Sequence, residues 1–520
     1  MRSSVGAKPL RRTAVSKQKP TSQRFAFGLA ISALLVGSVF SFAQPNAVYA
    51  ASTPCSITPV LSEANLNTCI AEAPTDGSEF TITLGANFNI TAQKSIVTGQ
   101  NITITSANPA SPATLTRDPG FTGRLFVVNA TTLNVTTFTV DSVIIDGNNP
   151  IAAANNQLIY ATSAISALVN LTGDTVLKNN NSTSDGGTVL IDSSACTLNI
   201  NGDVQIINNT TTGNGTLLVL GSFDMSGGII SGNTAGGSAG GVLVSGGSFG
   251  MHYGEISGNT AANNGGGVVV IAGGFFGLND GEIRGNTATN YGGGIYVTDN
   301  SRFAMSYGEI SGNTATYGGG ASLMTNTTGI LTGGEISGNT ANIDGGGIYA
   351  TGAMLTMIKP GGPGGSIAPR DGGWISGNVA VRNGGGIYMS SSTLEMHNGE
   401  ISGNTATGGS GGGVFTEDYN NLTVGADVIF SSNRASFASP ARNPADDAVY
   451  AANILGTNWT LPFVQGYNNY DINHDYAPSA PGTGLFGAQI SGATISVLSI
   501  VVSTVAIIAI FMSRKLLARR

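Results

Sequence analysis

Gly254-Glu255-Ile256-Ser257-Gly258-Asn259-Thr260-Ala261, followed by Gly265-Gly266-Gly267 and Val268-Val269-Val270, decides how this chain folds. The phrase returns around Asn286, Asn313, Asn339 and Asn404, with looser copies at Asn233, Asn378 and Asn433. Successive asparagines lie 26, 27, 27, 26, 39, 26 and 29 residues apart. A period of that length marks a solenoid, in which no unit buries its own apolar face and each must stack on its neighbours.

One unit runs from Gly241 to Gly267. Val242-Leu243-Val244 alternates as a short strand, Gly246-Gly247 turns the chain, Phe249 and Met251 alternate again, and Glu255-Ile256 gives a brief third strand. Period-two alternation broken by Gly and Asn excludes helical repeats, which need a 3.6-residue period. Winding aligns each position into a column. Ile230, Ile256, Ile283, Ile310, Ile336, Ile375 and Ile401 form one inward column. Met225, Met251, Leu278, Met305, Leu331 and Met396 form another, with Phe223, Phe249, Phe276 and Phe303 beside it. Each buried large side chain contributes about 1.5–3 kcal/mol before entropy, so four or five per coil are needed to offset chain ordering. The Asn column is expected to hydrogen-bond from coil to coil and fix register. The glycines supply positive φ and close backbone approach.

These residues resemble a known family. I-x-x-N followed by GGGV or GGGI is similar to the F-x-x-N and GGA[ILV] repeats of chlamydial polymorphic outer-membrane proteins and related adhesin-like proteins, and Phe430-Ser431-Ser432-Asn433 matches F-x-x-N literally. The resemblance spans roughly residues 140–435. It implies an all-β, right-handed parallel β-helix of about 26 residues per coil. Those proteins end in a membrane barrel, whereas this chain ends in an apolar segment, so anchoring differs. About a dozen coils at about 4.8 Å each would make a rod about 55–60 Å long.

The outer columns hold the candidate sites. Within GGG-I-x-V the middle residue faces away from the core: Val269, Tyr296, Tyr349, Tyr388 and Phe415. Repeated exposed aromatics would stack on sugar rings or anchor a protein partner; alternatively they shield the sheet by stacking on one another. Glu255, Glu282, Glu309, Glu335 and Glu400 share a column that Trp374 interrupts. Carboxylates about 5 Å apart repel by about 1 kcal/mol even in water, which a cation such as Ca²⁺ would relieve; a solvated ladder is the alternative. An extra loop, 357–371, explains the 39-residue spacing and carries Lys359, Arg370 and Asp371. His252 and His397 share a phase but lie coils apart, and Cys196 reads as a buried thiol.

A β-helix lyase or glycoside hydrolase is the rival, since either needs clustered carboxylates, or Ca²⁺ with a basic residue. Between residues 203 and 416 only Arg284, Arg302, Lys359, Arg370 and Arg382 are basic, and no NTD, DD, GHG or RIK set is present. The sequence therefore carries no catalytic or metal-binding expectation. A purely structural surface-layer role is the third possibility.

The ends locate the protein. Residues 1–50 combine seven Lys/Arg, an apolar run over 25–43 and Ala47-Val48-Tyr49-Ala50, which reads as a signal peptide cut after Ala50, with an uncleaved anchor as the alternative. The uncharged run 493–512 ahead of Arg514 and Lys515 is long enough at about 1.5 Å per residue to cross a hydrocarbon core of about 30 Å. The basic tail, 514–520, places the C-terminus in the cytoplasm. Pro481-Gly482-Thr483-Gly484 before that span resembles an LPxTG sorting signal, with Ala480 in place of Leu. That resemblance implies sortase cleavage between Thr483 and Gly484 and transfer to peptidoglycan; the alternative is a permanent single-span anchor with an incidental PGTG.

Both ends lack acids, so the exported part holds all 29 Asp/Glu against 11 of the 22 Lys/Arg, a formal charge near −18. Such a surface argues against nucleic acid as a partner. In an exported chain Cys55 and Cys69 are expected to pair. Residues 61–71 read as an amphipathic helix before the strand Phe80-Thr81-Ile82-Thr83-Leu84, a cap over the first coil. The expected layout is signal peptide 1–50, N-terminal cap and first strands 51–100, β-helix 101–450, C-terminal cap 451–476, tether 477–492, transmembrane helix 493–513 and basic tail 514–520. Function is expected to be adhesion to an extracellular glycan or protein.

Overall fold

Because left-handed residues, mostly glycine and asparagine, recur between the extended runs, the strands are short and the chain winds. A computed structural model describes residues 53–131, 134–148, 153–359, 372–418, 421–436 and 471–473. Its strands form a 13-stranded sheet, a 10-stranded sheet of very short strands, and a bent 23-stranded sheet. Pairing is parallel and follows the repeat: Val242 lies beside Val268 and Val268 beside Ile295. The chain is a parallel β-solenoid.

Division of the coil follows the sequence expectation in coils such as the next one, with separate strands Phe275–Leu278 and Glu282–Arg284, and differs in the Gly241–Gly267 unit. Val242–Ser245 is the first strand, but Ser248–Ser257 runs on as one strand. The expected break there is taken up by register shifts around Ser226 and Tyr253, so a bulge bends the strand without ending it. A further strand, Thr260–Ala261, follows the asparagine. Two residues have no period to read, and only their stacking makes them a sheet.

The inward columns form one continuous apolar core, with every isoleucine of its column buried. Phe223, Phe249, Phe276 and Phe303 stack along the axis with centroids 4.2, 4.8 and 5.7 Å apart. Cys196 is a buried free thiol whose pKa burial pushes up to about 11.

At the corner between the bent and short-strand sheets, the asparagines form an internal ladder. Each donates through its backbone N–H and Nδ2 to Oδ1 of the next, from Asn209 through Asn404. The preceding residue is left-handed: Gly232, Gly258 and Gly285 in regular coils, Asn179, Asn208 and Ser432 in the outer ones. Asn148 is left-handed and exposed, outside the ladder. At one end, buried Arg117 donates to Asn180 Oδ1 and to the carbonyls of Gly123 and Asn156. Burial lowers its pKa to about 10. At the other end Asp471 accepts from Asn433 Nδ2 at 2.8 Å.

Ahead of the coils, helix Glu63–Glu72 starts at the N-cap Ser62 and buries Leu66, Cys69 and Ile70. Cys55 and Cys69 are joined by a disulfide. Glu63 accepts from the buried Lys94 ammonium at 2.6 Å and from Thr91. Gln100 Nε2 donates to the carbonyls of Ile70 and Ala73 at the helix's other end.

Among the described residues no helix is long and apolar enough to cross a membrane. The signal peptide, the tether and the 493–513 span lie outside the described residues. Of 451–476 only 471–473 is described, and there Ile472–Asn473 pairs in parallel with Val414 and Phe415.

Candidate binding faces

The 13-stranded sheet turns Val268 and Val270 into the core and Val269 to the other side. Register then carries that outer column through Tyr296, Ser322, Tyr349, Tyr388 and Phe415. The expectation that these side chains stand exposed is wrong for three of them. Val269, Tyr388 and Phe415 are 2%, 8% and 3% exposed, while Tyr296 and Tyr349 are half-buried.

Two causes cover the column. The first glycine of each GGG is left-handed and folds the incoming turn onto the strand: a Cβ at Gly345 would lie 2.9 Å from Tyr349 Cα, and one at Gly411 would lie 2.8 Å from Phe415 Cα. The rings also consume one another's faces. Tyr349 stacks on Tyr388 at 5.0 Å, and Tyr388 on Phe415 at 5.2 Å, with interplanar angles of 2° and 6°. Where Ser322 leaves the column without a ring, Tyr291 and Tyr317 from the preceding turns fill in, at 5.8 and 5.2 Å from Tyr349. Those two tyrosines were missed in the sequence because they belong to the turn, whose residues vary between copies.

Burial pushes the phenol of Tyr296 up to about 12 and those of Tyr349 and Tyr388 higher still. Tyr388 also donates to Glu417 at 3.1 Å. Beside the stack Arg382 pairs with buried Asp344, and that hydrogen-bonded pairing raises the Arg382 pKa. The arrangement leaves Tyr296 and Tyr349 as the partly open rings of the column.

On the bent sheet Glu255, Glu282, Glu309 and Glu335 lie side by side, followed by Trp374 and Glu400. Arg284, one column along, bridges Glu255 at 2.7 Å and Glu282 at 3.1 Å, so an arginine relieves part of the repulsion. Among the described residues no cluster of three His, Cys, Asp or Glu is placed to hold a metal ion. His252 and His397 are exposed and separate; His252 lies 3.4 Å from Asn279. Tyr253 and Tyr307, just ahead of this column, are the aromatic side chains most open to solvent among the described residues. They escaped the sequence reading because Asp280 and Gly333 occupy the same corner in other coils.

Ala50, Thr483, Gly484, Arg370 and Asp371 lie outside the described residues, whereas Met357 belongs to the strand Met354–Met357 rather than to the inserted loop.

Residues 280–298, one full passage from Glu282 through the GGG turn to Val297, match the Chlamydia polymorphic membrane protein repeat. No curated protein and no solved structure matches the chain. The matched stretch lies within a single coil of the parallel solenoid.

Proposed function

We propose that the chain is a surface-displayed adhesin whose β-helix holds an extracellular partner, glycan or protein, without transforming it. The observation that carries this is the repeat: a unit that matches a membrane-protein repeat at residues 280–298 recurs in parallel register along a 13-stranded sheet. Such a rod presents the same outer position once per coil, about every 4.8 Å. Tyr296 and Tyr349 would contribute ring edges and hydroxyls to the contact, with Tyr388 and Phe415 supporting them. The coils wind right-handed, as parallel crossovers do in about 98% of cases. Helix Glu63–Glu72 caps the first coil, and its disulfide and the Glu63–Lys94 pair hold it there.

Export through residues 1–50, anchoring by 493–513 and sorting at Thr483 complete the proposal. Mass spectrometry of wall digests tests the last: Thr483 linked to peptidoglycan is expected, and an intact tail to Arg520 refutes sorting. For function, beads coated with the purified full chain should adhere to cells or immobilised glycans and release no shortened or unsaturated sugars. Released products would establish the enzyme instead, and failure to adhere would leave a structural surface-layer role.

A further inference from the structure

The bent sheet carries a second aromatic feature that the stacked ridge lacks: free ring faces. Tyr253 and Tyr307 are 51% and 53% exposed, and neither forms a ring pair. They occupy the same corner, two residues ahead of Glu255 and Glu309, which are themselves separated by Glu282 in the ladder. Two coil spacings put the tyrosines about 10 Å apart along the axis. That is about one disaccharide of an extended β-linked polysaccharide.

The surroundings fit the same chemistry. Asp280 holds the corner between the tyrosines, and the Arg284 guanidinium is fixed by Glu255 and Glu282. Planar polar groups held by one another beside an aromatic face recognise sugar hydroxyls, while the ring packs against the apolar face of the pyranose. Several carboxylates against one arginine repel a uronate or sulfate polymer.

We infer that this corner binds a linear β-linked glycan free of acidic groups, lying along the rod with sugar rings on Tyr253 and Tyr307. The inference rests on the adhesive reading above and assigns it a ligand class. Titration calorimetry of the full chain tests it with three probes: cellohexaose, a glucosamine hexamer and polygalacturonate. Both hexamers should bind and polygalacturonate should not. Y253S/Y307S should lose at least tenfold in affinity with the β circular dichroism and melting temperature unchanged. The carboxylates beside the tyrosines attract ammonium groups, so the glucosamine hexamer should bind more tightly than cellohexaose, and E282Q should narrow that difference. Undiminished affinity in Y253S/Y307S, tighter binding of polygalacturonate, or no binding of either hexamer overturns the site. Bead adhesion persisting in that double variant would show that adhesion uses another face.

Discussion

Asn259 donates both its backbone N–H and its Nδ2 to Oδ1 of Asn286, each at 3.0 Å, and its second amide hydrogen to the carbonyl of Ile230 at 2.9 Å. Every hydrogen of that buried amide is used, and the unit repeats from Asn233 to Asn404. The amides point one way along the rod. Their oxygen end meets the Arg117 cation and their nitrogen end meets Asp471, the arrangement that aligned dipoles favour.

Asn286→Leu would leave two buried donors without partners, the Asn259 backbone N–H and one hydrogen of Asn259 Nδ2, and would take from the Ile256 carbonyl its side-chain donor. The expected cost is on the order of 4 kcal/mol, read from the urea midpoint. Asn286→Asp keeps the acceptor but loses both donors and buries a charge. It should be the worse variant at neutral pH and regain stability in acid, as the carboxyl protonates.

Alkali should loosen the aromatic ridge. Folding raises the Tyr296 pKa from 10.0 to about 12, so the folded state holds that proton more tightly than the unfolded chain. Its contribution is complete below pH 10.0 and lost as pH rises through about 12, with Tyr349 and Tyr388 shifted in the same direction. Thermal melts across that window should fall more steeply for the wild type than for Y349F/Y388F. Parallel curves would mean that these phenols titrate as they do in the unfolded chain.

Acid should act at the opposite end. Burial favours the neutral carboxyl of Glu63, but hydrogen bonds from Lys94 and Thr91 outweigh it and lower the pKa below 4.5. Stability from this clasp is therefore present above pH 4.5 and lost as pH falls through the lowered value. Lys94→Met should weaken that acid dependence, leaving the part due to Thr91, and destabilise the helix attachment by about 1–3 kcal/mol, because a part-buried pair loses one partner. Hydrogen exchange of the Glu63–Glu72 amides is the measurement.

Columns of one residue type made the fold legible. Isoleucine, methionine and asparagine recur because each must fit the same residue one coil away, so the demand is written once per period. Alternation also told which way Val269 and Tyr388 point, since neighbours on a strand face opposite sides. It did not tell what lies over them. Cover comes from the left-handed glycine ahead of the strand and from Tyr291 and Tyr317, whose positions are set by a turn. Tyr253 and Tyr307 were illegible for a related reason: a solvent-facing corner imposes no common residue, so nothing repeats there.

Glycine looked like a single requirement in the sequence, yet the structure separates two. Gly258 has φ +60°, and a Cβ there would meet nothing closer than 4.0 Å, so only backbone conformation demands it. Asn179 and Asn208 hold the equivalent position at φ 55°. Gly258→Asn should therefore cost well under 1 kcal/mol, and Gly258→Ala about 1 kcal/mol. Gly266 is the reverse case: a Cβ would lie 2.4 Å from the Gly293 oxygen and 2.6 Å from Thr287 N, both backbone atoms of the next coil. Gly266→Ala must push two coils apart against the asparagine ladder, at about 3 kcal/mol or more. Urea midpoints of the three variants should rank Gly258→Asn, Gly258→Ala, Gly266→Ala from most to least stable. Equal losses for the two alanine variants would mean that the coils yield at the GGG turn and that close approach there does not hold them in register.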